Sequence, residues 1–194
     1  MLREGFGSMP IEFIEKYGKY VVITGVRDVR ILDPETVLLR LREFDEKMEV
    51  QILDVAGIAG IDHLRFAVLN ALKAQAQGKQ ATGALAVEIL LYASGQRQIK
   101  NAIAHLGVSR DSRHVAVVAV AGERAALERL VSELPNITMG RADESVLQEG
   151  DDATIRRIFG LSDDQMEAVA GKGSRKERMT KLVIEKMALL SVQA

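Results

Sequence analysis

Val115-Ala116-Val117-Val118-Ala119-Val120 is a run of small and β-branched apolar residues with no polar break. A run this short and this apolar on both alternate faces suits a strand covered on both sides. It predicts the central strand of a sheet. Two more strand-like segments lie upstream, Tyr20–Val26 and Val50–Ala56. Between them Asp33-Pro34 reads as a helix start, with Asp as N-cap and Pro in the first turn. Val37, Leu38, Leu41, Phe44 and Met48 keep a helical period behind it, so a helix is expected over 34–48. A second helix is expected from Asp62, with Leu64, Val68, Ala71 and Leu72 inward and Gly78 as its stop. Downstream, Glu123–Leu134 reads as a helix ended by Pro135, and Asn136–Arg141 as a short edge strand. Helices follow at Asp152–Phe159, Ser162–Ala170 and Lys176–Leu190, the last with an apolar stripe of Met179, Leu182, Val183, Met187 and Leu190. Residues 1–10 read as a loose end, and 172–194 as a closing helix after a flexible Gly171-Lys172-Gly173-Ser174 joint. Strands alternating with helices imply one α/β domain over residues 1–194, a mixed β-sheet core flanked by helices.

Composition narrows the chemistry. The 194 residues include no cysteine and three histidines. Disulfides, thiolate nucleophiles and cysteine metal sites are therefore excluded, and a histidine-rich metal centre is not expected. No apolar run approaches the ~18 residues of a membrane span, and no signal peptide is visible, so a cytoplasmic protein without membrane or cofactor is expected. The formal net charge of −1 hides an asymmetry. From Arg65 to Arg110 the basic residues are Arg65, Lys73, Lys79, Arg97, Lys100 and Arg110, against Glu88 alone. A basic region on a nearly neutral chain points to a local anionic partner, or simply to solvated helix surfaces.

Within that region residues 84–108 stand out. A nearly all-apolar segment, read as helix because Ala and Leu dominate, carries the lone acid Glu88 and ends at Ser94-Gly95. A second helix then follows Gln96, Arg97 and Gln98, with Ile99, Ala102, Ile103 and Leu106 as its apolar face and Gly107 as an expected left-handed cap. Arg97, Lys100, Asn101 and His105 lie on its outer face. Free N–H groups at a helix start favour anions, and an arginine beside them adds a fork suited to phosphate. Glu88, among Ala84, Leu85, Leu91 and Tyr92, needs a partner, with Arg97 or His63 as candidates.

The run Glu88-Ile89-Leu90-Leu91-Tyr92-x-Ser94-Gly95-x-Arg97-Gln98-Ile99, followed by a short helix and Gly107-Val108, resembles the family of small kinase-associated subunits of the KEOPS complex, the PRPK-binding-protein family, in its archaeal type. Residues 54–72, with Val55-Ala56-Gly57, His63-Leu64 and Ala67, and residues 182–190 are similar to further parts of that family, so the likeness extends over about residues 20 to 190. The resemblance implies an α/β sheet with flanking helices and a non-catalytic subunit. Such a subunit docks on the N-lobe of a Bud-type kinase/ATPase, supports through it the threonylcarbamoyltransferase that modifies tRNA beside the anticodon, and binds the single-stranded 3′ CCA end of tRNA.

Under that reading Arg97, Lys100 and the start of their helix hold tail phosphates. His63, Gln98 and Asn101 are candidates for the bases, and Lys73 is a further basic candidate. Glu88 is expected to be a buried structural carboxylate. The helices at 34–48 and 176–190 are candidates for the kinase contact. Two other classes stay open. One is a small phosphate-ligand enzyme centred on Glu88 and His63; the other is a kinase-binding adaptor without RNA contact. No GxxxxGK[ST] loop, HisGluxxHis or GlyxSerxGly motif supports an enzyme, and the low aromatic content (4%) argues against a long base-stacking platform.

Overall fold

The computed structural model describes residues 11–169 and 173–192. Val115–Ala121 is the sheet's inner strand β4, buried at every position. Its side chains alternate between two cores. Ala116, Val118 and Val120 face one, with residues of the helices Ile61–Ala76 (α2), Leu85–Ser94 (α3) and Arg175–Val192 (α8). Val115, Val117, Ala119 and Ala121 face the other, beneath Pro34–Arg42 (α1) and Arg124–Thr138 (α5). A strand sandwiched in this way has no solvent face, which is why its sequence lacks polar alternation.

The α/β class and the single helix-flanked sheet stand as read. Lys19–Arg27 (β2) and Glu49–Asp54 (β3) each pair antiparallel with β4, one on either side. The β2–α1–β3 unit therefore holds two strands running the same way, but β4 lies between them. The short strands Glu12–Ile14 (β1) and Arg141–Ala142 (β5) also pair antiparallel with β2. Every pairing among the described residues is thus antiparallel, where a mixed sheet would carry a parallel neighbour. None of the described helices is long and apolar enough to cross a membrane.

Several boundaries differ from the sequence reading. Asp33 caps α1 as expected, accepting from the Thr36 N–H at 3.0 Å, but the helix ends at Arg42 rather than 48. Asp45 accepts from the Lys47 N–H and starts a turn that delivers Met48 to the core from outside the helix. Pro135 does not stop α5, which continues to Thr138. An interior proline forfeits one backbone bond, yet Leu134, Ile137 and Thr138 continue the buried face, and the Thr138 hydroxyl donates to the Leu134 carbonyl at 2.7 Å. The expected strand 136–141 shrinks accordingly to Arg141–Ala142. The loose 1–10 end and the Gly171-Lys172 part of the joint lie outside the described residues. In α8 Met179, Leu182, Val183 and Met187 face the core while Leu189 is exposed, and the side chain of Leu190 lies outside the described ones.

One tie across the sheet edge was hidden by sequence distance. Arg27, at the end of β2, bonds Asp143 at 2.6 Å and grips both oxygens of Glu149, at 2.5 and 3.0 Å. Bonds from Ser145 and Arg27 hold the Asp143 carboxyl at about 2, against an ordinary 3.8, and Glu149 is lowered chiefly by its bond to Arg27. A depressed folded-state value means that the unfolded chain binds the proton more readily. The stabilisation is complete above pH ~3.8 and is lost as pH falls toward 2. Denaturation midpoints should therefore drop steeply between pH 4 and 2, and Asp143→Asn should flatten that part of the profile. An unchanged acid limb in the variant would contradict the assignment.

Candidate functional site

The α3–turn–α4 segment (α4, Ile99–Leu106) is placed from its first turn onward. Two β3 side chains dock the start of α3. Glu49 accepts from the Ala86 N–H at 2.9 Å, and the Gln51 amide donates to the Ala86 carbonyl at 3.2 Å. A carboxylate at a helix N-terminus also complements the dipole. α3 ends where expected, at Gly95, whose φ of 64° is left-handed. The Gly95 N–H reaches the Tyr92 carbonyl and the Gln96 N–H the Leu91 carbonyl, both at 3.1 Å, closing the last turn. Only a residue without Cβ enters that conformation cheaply. The chain then reverses through Gln96 and Arg97, and α4 starts without a side-chain cap.

This turn exposes Arg97, Gln98, Lys100 and Asn101 together. Neither Arg97 nor Lys100 forms an ion pair among the described residues, whereas Arg65, in the same basic region, approaches Glu12 and Asp62. The Asn101 amide touches only Gln98, at 3.4 Å. Lys73 is exposed on α2 but does not line the cavity that opens beside this turn. That cavity, about 220 Å³, is walled by Lys79, Ala81, Glu88, Leu91, Tyr92, Gln96 and Arg97.

Two expectations for single residues fail. His63 cannot meet a base, because its ring is completely buried. Its Nδ1 accepts from the Ala59 N–H at 3.1 Å and its Nε2 lies 2.7 Å from the Ala93 carbonyl, to which it donates. Its edge packs on Phe159, with centroids 5.5 Å apart. Burial pushes the ring's pKa down to about 4, so it is neutral. Glu88 is buried as expected, but neither His63 nor Arg97 partners it. Its Oε1 accepts from the Thr82 N–H at 2.5 Å. The Glu88–His63 pair that a catalytic reading needs is therefore not formed, since both His63 nitrogens are engaged by backbone.

α4 also departs from its pattern. Ala102 and Leu106 are buried, but Ile99 and Ile103 are 43% and 54% exposed. The helix lies at the rim, against α3 and the 55–57 turn, so only one edge of its apolar stripe reaches the core. Gly107 is extended (φ −65°, ψ 142°) rather than left-handed. It is needed for space instead: a Cβ there would meet the backbone of Ile103. Sequence reading passes over Lys79, Tyr92 and Gln96 as site residues. Tyr92 was within reach, since it lies one helical turn beyond Glu88 on the same face. Burial, and then the nearby Glu88 charge, raise its phenol pKa.

Comparison with family models matches residues 27–191 to the family described as Kinase binding protein CGI-121. No curated protein matches the chain.

Proposed function

The chain belongs to the CGI-121 family of kinase-binding proteins, and from that premise we propose that it is the small, non-catalytic subunit of a KEOPS complex. In this reading it docks on the N-lobe of a Bud-type kinase/ATPase in the cytoplasm, supports the threonylcarbamoyltransferase indirectly, and anchors the 3′ CCA end of tRNA. The RNA part rests on one observation above all. Arg97 and Lys100 stand exposed, without ion pairs among the described residues, at the uncapped start of α4. A phosphate there meets backbone N–H donors and a guanidinium at once. Gln98 and Asn101 sit beside them as polar donors and acceptors. Holding the tail raises the effective concentration of the anticodon region at a distant active site, with no chemistry performed by this chain.

The test is tRNA binding by the chain and by its complex with the cognate kinase. Intact tRNA should bind at least about tenfold more tightly than tRNA stripped of CCA. The affinity should fall with salt at a slope of about −0.7 per phosphate neutralised. Arg97→Glu should remove most of the difference. Equal binding of stripped and intact tRNA would refute the anchor.

An adaptor that binds the kinase and no RNA has its own support in Ile99 and Ile103, exposed one turn apart on the same helix. That reading expects Arg97→Glu to leave tRNA modification untouched and Ile103→Glu to release the kinase.

A further inference from the structure

Among the described residues Glu88 is the one buried acid, 3% exposed. Its place between Leu85 and Leu91 would suit a leucine. The Thr82 N–H at Oε1 is its one hydrogen bond among the described residues, and no ion pair reaches it. An ionised carboxylate offers about four acceptor positions, and burying it underused is unfavourable. Its remaining acceptor capacity lies in the wall of the cavity of about 220 Å³. That space suits one ring system. Leu91 and Tyr92 give it an apolar side, and Lys79 and Arg97, both exposed, stand at its mouth.

These features describe their ligand. The interior of the cavity needs a hydrogen-bond donor, the side needs a flat apolar face, and the mouth needs negative charge. A partner's lysine would satisfy the carboxylate but must pass two cations. A nucleotide whose base carries an exocyclic amino group satisfies all three. Cytosine and adenine present such a group. Uracil presents a carbonyl at the position of cytosine's amino group, oxygen against oxygen. Guanine offers its amino group beside a ring N–H, a pair that calls for both carboxylate oxygens, and Oε1 already serves Thr82.

We propose that the Glu88 pocket holds a single nucleobase and selects cytosine or adenine over uracil. This rests on the RNA reading above for the phosphate contacts, and it turns Glu88 from a structural carboxylate into the residue that reads the base. Edge recognition and stacking of an unpaired base is the usual route to sequence preference in single-stranded RNA.

Binding to the full chain is measured with RNA oligonucleotides differing at one tail position (C, A or U), with CMP, AMP and UMP, and with a lysine-rich peptide. The C and A forms should bind about tenfold more tightly than the U form. In Glu88→Gln the amide oxygen can still accept from Thr82, leaving an NH2 for the pocket, so the preference should vanish or reverse toward U. Ala81→Trp fills the pocket from an exposed loop position and should erase the preference without touching the interior, which guards against a misfolded Glu88 variant. Equal binding of C, A and U oligonucleotides would overturn the pocket's selectivity and leave RNA anchoring in place. Discrimination among mononucleotides without RNA binding would support the pocket and sink the RNA reading. Capture of the peptide in place of nucleotides, or no binding at all, would overturn the proposal.

Discussion

Gly150→Ala should lower stability by about 3 kcal/mol, a large share of the 5–15 kcal/mol typical of a domain. The glycine's φ is not in the left-handed region, so the cost is one of space. A Cβ at 150 would press into the Ile58 carbonyl oxygen and approach Ile155 Cδ1 to 3.0 Å. The first of these is backbone and cannot rotate aside. The neighbouring Asp151 N–H donates to the Ala56 carbonyl at 2.9 Å, so lifting the segment breaks that bond as well. Gly83 and Gly122 make the control. Neither has anything within 4 Å of an added Cβ, and alanine there should be neutral or slightly stabilising. Urea denaturation separates the cases: a lower midpoint at unchanged slope for Gly150→Ala, and unmoved midpoints for the controls. A midpoint for Gly150→Ala within about 0.5 kcal/mol of the parent would mean that the segment yields at little cost.

The same loop shows what sequence could and could not reveal. Val115–Val120 announced itself, because a strand buried on both faces must be apolar throughout. The flanking strands and α3 followed from composition and period. What failed was decided at a distance. Pro135 obeys its local rule in isolation, but the buried stripe through Leu134 and Ile137 outweighs the lost bond. Ile99 and Ile103 match a helical core pattern, yet α4 has no neighbour on that side among the described residues. The tie of Arg27 to Asp143 and Glu149 spans 116 and 122 residues, with no periodic signal between them. In the candidate site, Arg97 and Lys100 were legible because charge and exposure go together. The cavity was not, because Lys79 and Gln96 reach it from either side of α3 only after the chain has folded.

His63 carries the second large effect. α3 ends at Ser94, so the Ala93 carbonyl is one of the last four that its own helix cannot satisfy. His63 donates to that carbonyl and accepts from the Ala59 N–H, and so bolts the entrance of α2 to the exit of α3. His63→Leu keeps much of the volume and strands both backbone groups in a dry interior. At about 1–3 kcal/mol for each, the expected loss is on the order of 3–5 kcal/mol. The ring also sets a pH dependence. Its folded pKa of about 4 lies below the unfolded 6.5, so protons favour the unfolded chain. Its stabilisation is complete above pH ~6.5 and fades as pH falls toward 4, before the Asp143 limb begins. Urea midpoints measured from pH 7.5 to 4.5 should slope downward in the parent and run nearly level in His63→Leu. If the variant matches the parent at pH 7.5, the two ring bonds do not hold these helices together. Since the exit of α3 also delivers Arg97 and Lys100, a folded His63 variant should bind intact tRNA more weakly even though His63 never touches it.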